Sequence, residues 1–140
     1  MVAGVVLFAG GTLERLLLVG LGGGLGAMAR YALGGLIGRL KSGWSFPLET
    51  LVINVAGCLA IGLLAGLAES RGVFAGTTRA FLFAGVLGGF TTFSTFGYET
   101  IQLLRDGQLA AASLSAGMQV IGGLGAVWAG AVLSRMAWGG

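Results

Sequence analysis

The sequence contains no histidine, one cysteine, one proline and five acidic residues in 140. Charged side chains make up 9%, where about 25% is usual in a soluble domain. Each shortage excludes something. Without histidine, and with carboxylates only at Glu14, Glu49, Glu69, Glu99 and Asp106, metal-ligand clusters and most acid–base chemistry are disfavoured, so no enzyme is expected. Cys58 cannot close an internal disulfide; it reads as a small apolar filler and leaves the redox compartment open. Eight Lys and Arg residues give a net charge of +3, but they are scattered and form no stripe for nucleic acid.

What is abundant is apolar surface and glycine: 56% hydrophobic residues and 29 glycines. Four runs are long enough to cross a bilayer, which takes about 20 residues. They cover roughly residues 16–37, 47–68, 78–105 and 108–136. The expected fold is an all-α membrane protein, a single integral domain over residues 1–140. Residues 1–13 are too short for a span and lack the basic start and cleavage site of a secretory signal. With Gly10-Gly11-Thr12 loosening them, they read as an N-terminal extension, of the first helix or as a free tail.

In the first span, glycines at 22, 26, 34 and 38 form two small-xxx-small pairs, which let helix backbones approach closely. Arg30 interrupts the span; a charge there either snorkels to the interface or lines a vestibule and concentrates anions. Pro47 suits the first turn of the second helix, Ser45 is a candidate cap, and Gly72 is a candidate stop. Thr50 and Asn54 are four apart and share a face. Asn54 is either an interhelical hydrogen-bonding group or a pore-lining amide donor.

The third run holds the least helix-friendly stretch of any span: Gly88-Gly89-Phe90-Thr91-Thr92-Phe93-Ser94-Thr95-Phe96. Its glycines each cost about 1 kcal/mol in a helix interior, and its Ser/Thr hydroxyls compete for backbone hydrogen bonds. A helix broken mid-membrane must face protein or a wet cavity, the arrangement in which transporters place ions; the alternative is a kinked helix packed through its glycines. Thr77 or Thr78 is expected to cap this span. Phe93 and Phe96, three apart, turn to one side, and the positive edge of a phenyl ring can meet an anion without offering a cation a site. Asn54 and nearby hydroxyls of Thr50, Ser94 and Thr95 could replace the hydration of a small anion.

Arg105-Asp106-Gly107 is a tight turn into an antiparallel fourth span. There Ser115 and Gln119 share one face, and Gly122, Ala126 and Gly130 form a small-residue stripe. Arg135 and Trp138 anchor its end. With four spans, Arg15, Arg71, Arg79 and Arg135 fall on one side and Arg39, Lys41 and Arg105 on the other. Four against three sets almost no orientation, so the chain could insert both ways and pair as an antiparallel, dual-topology homodimer in the lipid bilayer.

The stretch 88–96 resembles the third-helix signature of the fluoride-channel family called Fluc, or CrcB. Two further segments agree in the family's order: Gly23-Gly24-Leu25-Gly26-Ala27-Met28-Ala29-Arg30-Tyr31 and Thr50-Leu51-Val52-Ile53-Asn54. The resemblance implies a passive channel exporting fluoride from the microbial cytoplasm across the inner membrane, built as a dual-topology dimer with two pores. It implies that Phe93 and Phe96 line the fluoride pathways with Asn54, and that Arg30 lines a vestibule, where Glu99 stands as a second candidate. It also implies a structural sodium ion held by main-chain carbonyls that map to Gly88 and Thr91. Many members carry a Tyr and Ser ladder on the fourth helix; those places hold Ser115 and Gln119 here. Two other functions fit the composition. A small proton-coupled exporter of organic cations would use Glu99 as its embedded carboxylate. A non-transporting membrane scaffold would use only the glycine packing.

Overall fold

A computed structural model describes residues 10–40, 46–74 and 76–139. Among these, every regular element is helical: α1 (Gly10–Leu40), α2 (Leu48–Arg71), α3 (residues 76–90), α4 (Phe93–Arg105) and α5 (Leu109–Trp138). Four segments are long and apolar enough to cross a membrane: Gly11–Leu40, Leu48–Arg71, Gly76–Arg105 and Leu109–Trp138.

The helices associate through backbone proximity, not through a large apolar core. Among the described residues, the large hydrophobic side chains that are buried are Leu51, Ile53, Leu87 and Leu103, while Leu17, Leu21, Met28, Ile121, Leu124 and Trp128 all lie exposed. That distribution suits a chain whose surroundings are themselves apolar, where small residues and close contact drive association. α1 packs on α3 through glycines: a Cβ at Gly22 would lie 2.6 Å from the Phe81 carbonyl oxygen, and one at Gly26 would overlap the Val86 carbonyl. The first of the two expected small-residue pairs in α1 thus faces α3; Gly34 and Gly38 instead look toward Ile53 and Glu49 of α2. α2 packs on α5 in the same manner, Gly62 against the Val127 carbonyl and Gly130 against Leu59.

Several helix ends differ from the sequence reading. α1 starts at Gly10, so Gly10-Gly11-Thr12 are helical; the first nine residues lie outside the described ones. Helical continuity satisfies backbone groups internally, which outweighs glycine's small intrinsic preference for coil. Pro47 occupies the cap of α2 (φ −78°, ψ 64°), one place before the first turn, and Ser45 lies outside the described residues. Gly72 closes α2 as expected, left-handed at φ 64° with its N–H on the Ala68 carbonyl. Thr77 and Thr78 are inside the first turn of α3, which begins at Gly76 with φ 58°, so neither caps it. The turn after α4 closes with Gly107 at φ 72° and the Gln108 N–H on the Leu103 carbonyl at 2.8 Å, setting α5 antiparallel.

Two stretches are wound as π-helix, Ala80–Leu87 in α3 and Met118–Gly122 in α5, a feature the apolar pattern does not signal. The wider turn in α5 rotates the helix that follows. In the segment after it the buried residues are Gly123, Gly130 and Ser134; of the expected stripe, Gly130 packs on Leu59 of α2 and Gly122 lies near Val55, with Gly122 and Ala126 half-buried.

Candidate functional site

The third long segment changes conformation just past its glycines. Gly88, Gly89 and Phe90 are helical; Thr91 (φ −84°, ψ 159°) and Thr92 (φ −151°, ψ 112°) are extended; helix resumes at Phe93. Glycine is thus not what interrupts the winding. Gly89 is there because its Cα lies against the backbone of Gly23, where a Cβ would collide with the Gly23 carbonyl.

What supports the extended pair and the turn before it is a set of residues from α1 and α2. Asn54 of α2 receives the Thr92 N–H at Oδ1 (2.8 Å) and donates Nδ2 to the Thr92 carbonyl (3.0 Å). Arg30 of α1 donates Nε to the Gly89 carbonyl at 3.2 Å. Gly57 of α2 leaves the space that the Thr91 methyl group fills. The Thr92 hydroxyl caps α4, accepting from the Thr95 N–H at 3.3 Å and lying 2.9 Å from the Thr95 hydroxyl and 3.3 Å from that of Ser94. Thr91 folds back, its hydroxyl on the Leu87 carbonyl at 3.0 Å.

On one side of this step lies a cavity of about 330 Å³ lined by Asn54, Phe83, Gly88, Thr91, Phe93 and Phe96, with Gln119 opposite. Phe93 and Phe96 meet edge to face, centroids 5.4 Å apart at 68°. Gln119 takes a hydrogen bond from Asn54 Nδ2 onto Oε1 at 3.1 Å, and its own Nε2 is buried without a partner among the described residues. A buried amide N–H₂ with no acceptor costs free energy unless something electron-rich comes to it. The cavity is thus lined by aromatic rings with a buried, unpartnered amide donor in its wall, and among the described residues its lining carries no formal charge.

On the other side lies a cavity of about 600 Å³ lined by Arg30, Arg39, Glu49, Thr50, Thr92 and Thr95. Glu99 does not line it; it borders a neighbouring space with Glu49, Tyr98 and Asp106 and accepts from the Thr50 hydroxyl at 2.9 Å. The two candidate vestibule residues, Arg30 and Glu99, thus line adjoining spaces that share Gly34 and Glu49. Thr50 and Asn54 do share a face of α2, both reaching the third long segment. Ser94 is exposed. Ser115, though one turn from Gln119, is fully buried outside the aromatic cavity, and its hydroxyl has no partner among the described residues. Thr92 was not singled out from sequence. The available signal was a threonine three residues ahead of another at the start of a more polar helical run, a cap pattern.

A family model described as CrcB-like protein, Camphor Resistance (CrcB), matches residues 17–131. The chain belongs to the CrcB family. Curated relatives agree over almost the whole length. A protein named fluoride-specific ion channel FluC from Methylobacillus flagellatus is 45% identical over 122 residues, covering 87% of this chain and 95% of that protein. One of the same name from Nitratidesulfovibrio vulgaris is 44% identical over 124 residues, 89% of this chain and 99% of its own. A third, from Thermus thermophilus, is 50% identical over 105 residues, 74% and 82% of the two chains. Membership of the CrcB family and four apolar helices make this an integral, multi-pass protein of the microbial plasma membrane.

Proposed function

We propose that this CrcB-family chain is a fluoride-specific ion channel through which cytoplasmic fluoride leaves passively. The observation that carries the reading is near full-length similarity to proteins of that name, 44–45% identical over 87–89% of this chain. The geometry agrees with it. Fluoride leaving water needs replacement donors, and a pathway without a full positive charge lets the ion leave as well as enter. The edge-to-face rings of Phe93 and Phe96 and the Gln119 amide offer such donors. Ser94 and Thr95 are further hydroxyl candidates in this reading, as is Thr50, although the Thr50 hydroxyl already donates to Glu99. Both hydrogens of the Asn54 amide are already engaged, so its part in the pathway is different from simple donation.

In this reading the third span is broken near the membrane midplane; the extended Thr91–Thr92 step, about halfway along Gly76–Arg105, supports it. Two copies pair antiparallel with opposite orientations. The four-to-three division of basic residues supports dual insertion, and Phe93, 82% exposed on one chain, would be covered by the second copy.

A structural sodium ion would be held by the main-chain carbonyls of Gly88 and Thr91. Their chemistry fits a hard cation, which takes oxygen ligands. In an unbroken helix the Thr92 N–H would bond the Gly88 carbonyl, but here it goes to Asn54, leaving that carbonyl without its helical donor. Thr91, at ψ 159°, turns its carbonyl out of the helical direction. Bound sodium would supply a fixed central charge tying the two copies together.

Fluoride efflux from liposomes holding the purified protein tests the channel reading. Efflux well above that of empty liposomes, with chloride retained, is expected; liposomes as tight as empty ones would refute it.

A further inference from the structure

We infer that Asn54 is a positioning residue: held at both ends by the backbone N–H and C=O of Thr92, its carboxamide dictates which way the Gln119 amide faces, and so leaves a buried donor, instead of an acceptor, unpartnered in the wall of the aromatic cavity. The inference rests on the channel reading and deepens it.

The direction of each amide follows from one unambiguous atom. A peptide N–H can only donate. The Asn54 atom facing the Thr92 N–H at 2.8 Å must therefore be the oxygen, Oδ1. That puts Nδ2 on the other side, where one of its hydrogens meets the Thr92 carbonyl at 3.0 Å. The second hydrogen points to Gln119, 3.1 Å away, and it needs an acceptor, which only Oε1 can be. The Gln119 N–H₂ then has to point away from Asn54, and it is left buried with no partner among the described residues. Gln119 lines the cavity that also holds Phe93 and Phe96. The direction of the Gln119 amide in that cavity's wall is thus set two residues away, by the backbone of the extended step.

Reversing the relay would convert the site. Were Gln119 to turn over, the unpartnered group in the cavity wall would be a carbonyl oxygen, and an anion drawn to it would find a lone pair in place of a hydrogen. The π-wound turn Met118–Gly122 carries Gln119 and contributes to its aim, but winding alone cannot choose between the two ends of an amide. Asn54 makes that choice.

The test uses the full chain with glutamine labelled with ¹⁵N. Only Gln102, Gln108 and Gln119 contribute side-chain amide signals. Loss of one signal in the Gln119→Met variant identifies the third. In the parent, sodium fluoride should move the Gln119 N–H₂ signal, while sodium chloride at equal strength should not. In Asn54→Asp, which keeps an acceptor for Thr92 but offers Gln119 no hydrogen, the Gln119 signal should sit elsewhere and ignore fluoride. Efflux should fall about 10- to 100-fold in both variants, the scale of one hydrogen bond to an ion. Elution as the parent assembly shows that each has folded.

A fluoride-sensitive Gln119 signal in Asn54→Asp, with efflux lost, would overturn the relay and make Asn54 a direct ion ligand. Parent-like efflux from Gln119→Met would overturn it as well. Should Asn54→Asp not fold, Gln119→Met and the parent titration still decide. A parent that passes no fluoride would instead sink the channel reading itself.

Discussion

The carboxamide of Asn54 pairs with both backbone groups of Thr92, taking its N–H at Oδ1 over 2.8 Å and donating Nδ2 to its carbonyl over 3.0 Å. One side chain from α2 satisfies both backbone groups of a residue whose helix has stopped. Away from water an unsatisfied backbone group costs several kcal/mol, so this pairing is what makes two extended residues tolerable between apolar helices. It also explains why the interruption falls at Thr92 and not at the glycines before it.

Phe96→Ile should remove one ring of the T-shaped pair while keeping an apolar side chain of similar bulk. As a packing change alone it should cost less than about 1.5 kcal/mol. The expected outcome is a folded protein of normal elution with sharply reduced fluoride efflux, measured by electrode on liposomes. Normal efflux from such a protein would leave the ring edge without a role.

Arg30→Met should leave the Gly89 carbonyl without its guanidinium partner, held now at 3.2 Å. A hydrogen bond to a charged group contributes about 1.5–3 kcal/mol. Thermal unfolding in detergent should therefore move down by several degrees, and Arg30→Lys should recover only part of it, since an ammonium lacks the planar fork. An unchanged transition would mean that Arg30 serves only the larger cavity.

Sodium removal should weaken assembly if the Gly88 and Thr91 carbonyls hold the ion. Exchange into a large organic cation should lower both dimer stability, followed by elution, and fluoride efflux. Thr91→Ser should behave as the parent because the ligands are main-chain atoms and serine keeps the hydroxyl that bonds the Leu87 carbonyl. Identical elution and efflux without sodium would remove the ion from the account.

Single cysteines placed beside Arg39 and beside Arg135, in a Cys58→Ala background, should each react partly with an impermeant reagent from either side of the native membrane. Labelling of each from one side only would show a fixed orientation and rule out the dual-topology dimer.

Much of this was legible beforehand because lipid imposes few solutions. Apolar runs of span length announced four helices, and the pairing of Gly22 with Gly26 announced a close neighbour, found to be α3. Gly72 and Gly107 marked turns because left-handed geometry suits glycine. Geometry between distant residues was not legible. Asn54 presented itself as a lone polar group, but nothing in the string shows that both its hydrogens are committed to Thr92 and Gln119. The separation of Ser115 from the aromatic cavity was hidden too, because a four-residue spacing implies a shared face only while winding stays regular.

A π-turn is an α-helix with one residue to spare. Removing a single residue from Met118–Gly122 would let the fourth span close into ordinary winding without breaking it. The flanking segments would keep nearly their present facing, because a π-turn and an α-turn each complete about one revolution, and only the residues inside the turn would shift. Glycine contacts with α2 on the far side would stay, while Gln119 would swing away from Asn54. In this protein chain length, counted to the single residue, is itself part of what aims the Gln119 amide.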